Sequence, residues 1–307
     1  MNTVYLDSRM AERDRRERAY QGQLFVFSPR PTTEALCAFA RQLTEEAFAP
    51  LEPRTAQYEL TVEAYTAVLA ELKPRFIHHP KSKELLRAML TDLGCDPGET
   101  YFDVPRMRIA TAQSYLTSGL AYVLHPHRDT WYSAPMCQLN WWLPMYEIES
   151  ENSMAFHPRY WNEAVKNGSS SYNYYEWNAS SRKNAAQHIR TDTRIQPKPE
   201  EPMQLDPQVR VVCPPGGVIM FSAQHMHSTV PNTSQVTRFS VDFRTVNVAD
   251  VAALTGAPNL DSAPTGTALR DFMRVSDLAR IPEDLIAPYD DDEAKTRGVL
   301  VFEPPAV

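Results

Sequence analysis

The sequence predicts a mainly β protein in which a barrel or sandwich of short strands is flanked by helices. Two textures and a length carry that expectation. Between residues 31 and 93 apolar side chains recur at helical spacing, whereas residues 101–246 break into short apolar runs separated by turn residues. A run of strands that follows a run of helices packs as a sheet core with helices against it. At 307 residues the chain can bury a large core.

The elements follow in order. The first 20 residues are dense in charge, with Glu12, Arg13, Asp14, Arg15, Arg16 and Glu17 in a row, and are expected to form a loosely held arm. Residues 23–27 make a short strand. A helix starts near Thr32 and Thr33, where Pro31 and Glu34 favour an N-terminus, and Leu36, Phe39, Ala40, Leu43 and Phe48 mark its apolar face. Two more helices are expected over 62–72 and 81–93, the second closed by Gly94. Strands are expected over 104–111, 121–129, 136–146, 209–213, 217–221, 225–230 and 236–246. Pro214-Pro215-Gly216-Gly217 and Pro231-Asn232 supply sharp turns among the last of these. A polar, aromatic insert over 147–208 interrupts the strands. Loops that long are functional or disordered, and Tyr172, Tyr174, Tyr175 and Trp177 favour an ordered lid. The expected organisation is one domain over 1–307: an arm and helices to residue 100, a core over 101–246 with the 147–208 insert, and a C-terminal extension over 247–307.

Composition narrows the class. The net charge of -7 argues against a general nucleic-acid binder. Cys37, Cys95, Cys137 and Cys213 are scattered, which suits reduced thiols in a cytoplasmic protein better than a disulfide framework or a zinc site. No apolar run approaches the roughly 20 residues of a membrane span, and the charged N-terminus has no signal core. The Asn167 and Asn178 sequons matter only in a secreted protein. Oligomeric state is not legible.

His127-Arg128-Asp129, His227 and Arg238 carry the chemistry. A histidine and a carboxylate two positions apart on a strand share a face. A distant second histidine completes a set of two histidines and one carboxylate, which suits non-haem Fe(II) with three positions open. Arg238, eleven residues after His227, adds a fork for a carboxylate. The four read as iron plus an α-keto acid. Parity does not separate His127 from His125, nor His227 from His225; the closeness of His127 to Asp129, and Pro126 beside His125, favour His127, and the strand over residues 237–244 favours His227. Downstream, Arg238, Ser240, Asp242 and Arg244 share one face of a strand whose other face is Phe239, Val241 and Phe243.

The ordered set His127-x-Asp129, residues 215–221, residues 227–232 and Arg238-x-Ser240 resembles the Fe(II)/2-oxoglutarate-dependent oxygenases, most closely the phytanoyl-CoA dioxygenase-like branch. The resemblance spans about residues 100–246. It implies a double-stranded β-helix (jelly roll, cupin-like) core with N-terminal helices. It implies that His127, Asp129 and His227 ligate Fe(II), and that Arg238 and Ser240 hold the distal carboxylate of 2-oxoglutarate. The activity implied is oxidation of a substrate C–H bond with O2 as co-substrate and decarboxylation of 2-oxoglutarate to succinate and CO2. Asp129 fills the position that related halogenases leave vacant for a halide. Where the family commonly has Asn-Gly, this chain has Asn152-Ser153, which leaves the backbone path there open.

Gln138 and Asn140 share a strand face and are candidates for contacts to the 2-oxoglutarate carboxylates, with structural amides as the alternative. Tyr172, Tyr174 and Trp177 are candidates for stacking on a substrate, and Arg182, Lys183, Arg190, Arg194, Arg106 and Arg108 for meeting an anionic group. The expected partner is a polar small molecule. A protein or peptide side-chain hydroxylase, a non-catalytic ligand-binding barrel and a cupin-type enzyme using His125 or His225 stay open.

Overall fold

The computed structural model describes residues 3–117, 120, 125–181, 194 and 196–290. Residues 121–124 of the strand expected at 121–129, the basic residues Arg182, Lys183 and Arg190, and the extension beyond residue 290 lie outside the described residues.

The structure is a sheet-rich mixture of strands and helices. In chain order come β1 (Val4–Leu6), α1 (Glu12–Ala19), β2 (Leu24–Phe27), α2 (Pro31–Phe48), α3 (Val62–His78), α4 (Pro80–Asp92), β3 (Thr100–Phe102) and β4 (Arg106–Ala110). There follow β5 (Leu139–Pro144), β6 (Met154–Phe156), β7 (Val209–Val211), β8 (Val218–Ser222), β9 (His227–Thr229), β10 (Arg238–Asn247) and β11 (Met273–Arg274). The large sheet runs β1-β2-β8-β5-β10-β3-β11, with β4 also on β10; a second sheet runs β7-β6-β9.

Alternation on β10 divides the molecule into layers. Phe239, Val241 and Phe243 are fully buried with Leu36, Phe39 and Leu43 of α2, Leu69 and Phe76 of α3 and Leu86 and Met89 of α4 in one core. Each such side chain contributes about 1.5–3 kcal/mol of burial. The opposite face of the large sheet meets the small sheet: Leu24, Val26, Trp142, Ile219 and Phe221 pack against Met154 and Phe156, with Val209 and Val211 beside them. The polar residues of β10 therefore project between two sheets and not into solvent.

Two expectations need correction. The first 20 residues are not a loose arm. β1 pairs in parallel with β2, Arg15 donates to the Leu93 carbonyl at 2.7 Å, and Arg16 donates to Asp250 at 2.7 Å. Arg15 and Arg16, two of the charges that suggested solvent, have partners far away in sequence. The second helix does not stop before Pro74; α3 runs through it to His78, with Phe76 and Ile77 buried. Tertiary burial there outweighs the local preference. Apart from 121–129, whose described residues 125–129 hold a single bridge and the start of a 3-10 turn, the other expected strands and helices form within a few residues of their expected ends. Among the described residues no helix is long and apolar enough to cross a membrane. All four cysteines are free and buried; burial pushes Cys95 and Cys137 up to about 12, which leaves them inert.

Candidate metal centre

His127 and His227 face each other as a hydrogen-bonded antiparallel pair. The His127 N–H donates to the His227 carbonyl and the His227 N–H to the His127 carbonyl, each at 3.0 Å. Residues opposed in this way present their side chains on the same side, and the ring centroids lie 4.3 Å apart. His127 thus extends the small sheet by one residue beyond β9. Asp129 is not on a regular strand as the same-face argument assumed. Its N–H donates to the Ala223 carbonyl at 2.9 Å, and it opens a 3-10 turn over Asp129–Tyr132. That turn swings the carboxylate back over the two rings.

The three side chains form one group, with all ligand atoms within 4.8 Å of one another. Asp129 Oδ1 lies 3.3 Å from His127 Nε2 and 3.9 Å from His227 Nε2. Donors about 2.1 Å from an ion and at right angles to each other stand about 3 Å apart, so small movements would close the set on a metal. Each imidazole has its other nitrogen committed. Nδ1 of His127 lies 2.8 Å from the His125 carbonyl, and Nδ1 of His227 lies 2.9 Å from the His225 carbonyl. A carbonyl can only accept, so both Nδ1 atoms carry the proton and both Nε2 lone pairs point at the group. Burial, followed by the neighbouring His127, pushes His227 down to about 4, which keeps it neutral.

Asp129 is the anionic member. Burial pushes its carboxyl upward, but the contact with His127 and the charge of Arg244 outweigh that and hold it well below the carboxylate range. Arg244 Nε sits 3.5 Å from Oδ2, while Arg244 Nη1 pairs with Asp103 at 3.0 Å. One carboxylate oxygen is therefore turned to the histidines and the other to an arginine, an arrangement that favours a single metal bond.

The neighbouring histidines do other work. His125 Nε2 is 2.6 Å from the Pro197 carbonyl. His225 is buried against Trp161, with ring centroids 4.6 Å apart, and burial pushes it down to about 3. Neither joins the group.

Arg238 is 5% exposed. Its Nη1 reaches the Asn152 and Ser153 carbonyls at 3.3 Å each, its guanidinium lies over Trp142 at 5.5 Å, and its Nε has no partner. Burial pushes it down to about 10, against the opposing charge of Asp242. The backbone at Ser153 therefore does approach the arginine, although serine replaces the expected glycine. Ser153 precedes β6, where Phe156 pairs with His227. Three residues of strand put the tip of Arg238 about 10 Å along the sheet from the level of His227. Ser240, fully buried, makes one long contact, to the Arg108 carbonyl at 3.4 Å.

Gln138 donates to Asn140 at 2.9 Å, and Asn140 sits opposite Arg244 on β10. These amides belong to the metal end of the face, away from Arg238. Arg108 forms a fork with Asp242 at 2.9 and 3.0 Å. An aromatic row leads outward from the metal group: Tyr132 is edge-on to His127 at 5.6 Å, Tyr172 is edge-on to Tyr132 at 5.3 Å, and Trp177 follows at 6.0 Å beneath Arg194. Tyr174 is buried and its hydroxyl donates to Asp271, so it anchors the insert and presents no stacking face. Arg128, Tyr132, Asp103 and Asp261 belong to this region and were not expected from the sequence. A charged residue between His127 and Asp129 was the one available signal, because it must point away from the ligands.

No protein-family model and no curated protein matches this sequence. Among solved structures, the chain is similar to EvdO2 from Micromonospora carbonacea var. aurantiaca at 13% identity, covering 79% of this chain and 93% of that one with a TM-score of 0.44. The same protein complexed with 2-oxoglutarate overlaps at 14% identity, 78% and 92% coverage and a TM-score of 0.43. SnoK, a non-haem α-ketoglutarate-dependent carbocyclase from nogalamycin biosynthesis, overlaps at 13% identity, 78% and 85% coverage and a TM-score of 0.38. Overlaps this loose carry no argument about activity, which rests on the site. EvdO2 is thus a protein that binds 2-oxoglutarate and SnoK a non-haem α-ketoglutarate-dependent enzyme, while the described residues of this chain hold a His–Asp–His group.

Proposed function

We propose that this protein is an Fe(II)/2-oxoglutarate-dependent oxygenase that oxidises, most simply by hydroxylation, a C–H bond of a polar small molecule. The observation that carries the reading is the pairing of two features: the His127/Asp129/His227 group, and a buried Arg238 with no ion-paired carboxylate among the described residues, roughly 10 Å along the sheet by strand rise. A five-carbon keto diacid that chelates through its keto end spans such a gap. Both features fit the absent groups. The two Nε2 atoms and Asp129 Oδ1 offer one face of an octahedron, the donor set of non-haem Fe(II). The orphaned Nε of Arg238 and the lightly used Ser240 hydroxyl suit a carboxylate.

Bound Fe(II) and 2-oxoglutarate supply O2 activation, with the keto acid leaving as succinate and CO2. The chain's residues do the rest. The His125 and His225 carbonyls fix the ligand tautomers. Arg244 holds the second oxygen of Asp129 away from the metal side. Arg238 and Ser240 fix the far end of the keto acid, and Gln138 and Asn140 stand where they can donate at its near end. The buried walls of Trp142, Ile219, Phe221 and Phe156 exclude water. Tyr172, Trp177 and Arg108 are the residues we assign to the substrate side. We read the two packed sheets as the double-stranded β-helix, the 147–208 insert as its lid and the chain as one domain. Four buried free thiols support a cytoplasmic location.

In aerobic solution with Fe(II), the protein is expected to convert 2-oxoglutarate to succinate. A chelator should stop this, and fresh Fe(II) should restore it. Polar small molecules should raise the rate and peptides should not. Stimulation by peptides alone would move the reading to a side-chain hydroxylase. No succinate under any condition would favour a non-catalytic binding barrel.

A further inference from the structure

We propose that Arg128 and Asp261 form a positioning clamp for the metal group, carried to it by a strap over residues 256–267. The inference rests on the metal-binding reading of His127, Asp129 and His227, and needs neither 2-oxoglutarate nor oxidation.

Arg128 stands between two ligands, faces away from them and is 0% exposed. All three guanidinium nitrogens are engaged. Nε donates to both Asp261 oxygens at 3.0 and 3.1 Å, Nη1 to the Gln224 carbonyl at 2.7 Å, and Nη2 to the Tyr160 and Glu163 carbonyls at 2.7 and 2.9 Å. Gln224 lies three residues before His227. Thr130, on the other side of Asp129, donates to the Gln224 side chain at 2.8 Å. Both neighbours of Asp129 thus grip the turn that delivers the second histidine.

Asp261 is used as fully. Oδ1 also accepts from Trp131 Nε1 at 2.7 Å, and Oδ2 from the Val165 N–H at 2.9 Å. Its carbonyl accepts from Asn167 at 2.8 Å, and Ser262 donates to Thr130 at 2.7 Å. The strap starts hard against residues 136–137. A Cβ on Gly256, at φ 152°, would stand 2.3 Å from the Met136 carbonyl carbon, so only glycine fits. From there the strap reaches the metal loop and the insert together.

The clamp answers a geometric need. The ligand loop holds only a one-residue bridge and a 3-10 turn, so no strand ladder fixes Asp129 against the histidines. A buried ion pair is weak evidence for stability, but a planar guanidinium held at all three of its nitrogens has its orientation restricted. Partners one step behind metal ligands typically change affinity 10- to 100-fold.

The test uses the full-length chain with Co(II) as the probe, titrated without oxygen and read by visible ligand-field absorption and competition affinity. Asp261→Asn and Arg128→Lys should each bind Co(II) about 10- to 100-fold more weakly with an altered spectrum. Thr130→Val should show a smaller loss, and circular dichroism of the metal-free variants should match wild type. Folded Asp261→Asn or Thr130→Val with wild-type affinity and spectrum overturns the proposal, as does a lowered Tm with an unmoved spectrum. Should Arg128→Lys not fold, the two volume-conserving variants decide, and Thr130→Val alone suffices if Asp261→Asn does not fold either. Wild-type protein that takes up no Co(II) defeats the metal reading itself, a separate outcome.

Discussion

Asp129→Ala is expected to lose iron and at least about 10³-fold of turnover, some 4 kcal/mol of transition-state stabilisation. The reason is the division of labour in the group. Both histidines have Nδ1 committed to carbonyls and an imidazole brings no charge as a metal ligand, so Asp129 supplies the only ligand charge of the three. Its removal leaves two rings 4.3 Å apart and takes away the carboxylate that stands between them and Arg244. Asp129→Asn keeps the shape and should fall between the two. Iron content after reconstitution, with succinate release under saturating 2-oxoglutarate, measures both effects. Full iron occupancy with near-normal turnover in Asp129→Ala would show that another carboxylate serves, and Asp103 and Asp242 are the acids closest to Arg244.

Arg238→Met is expected to raise the KM for 2-oxoglutarate by about 30-fold or more, because losing one partner of a buried charge pair costs about 2–5 kcal/mol. The metal-free variant should be at least as stable as wild type. The guanidinium is buried, and among the described residues its Nε has no hydrogen-bond partner, a desolvation cost that methionine does not carry. The two effects have opposite signs, which separates a binding role from a structural one. At 2-oxoglutarate one hundred times its Kd, wild type gains about 2.7 kcal/mol of stability; the variant should gain almost none at that concentration. A destabilised variant with unchanged KM would instead make Arg238 a strut for the Asn152–Ser153 carbonyls.

Much of this arrangement was legible because it rests on local patterns. The alternation on residues 238–244 marks a strand between an apolar layer and a polar one, and β10 has Phe239, Val241 and Phe243 in the helix-covered core. The His-x-Asp spacing identified residues that the structure does bring together, although through a partly wrong route. The sequence argument assumed a strand, whereas a backbone bridge to His227 and a 3-10 turn set the geometry. What escaped the sequence depends on distant pairing. Arg15 and Arg16 look solvent-bound until Leu93 and Asp250 are brought to them. Tyr174 looks like a stacking surface until Asp271 meets its hydroxyl. Asp261 lies 133 residues from Arg128, and no local pattern announces such a partner. The exclusion of His125 and His225 likewise needed the positions of Pro197 and Trp161.

The most direct test of the central claim is an anaerobic visible spectrum of the protein with Fe(II), before and after 2-oxoglutarate is added. The account predicts a weak charge-transfer band that needs both additions, is absent in Asp129→Ala, and in Arg238→Met appears only at much higher 2-oxoglutarate. A wild-type spectrum that stays featureless at saturating Fe(II) and 2-oxoglutarate would contradict it.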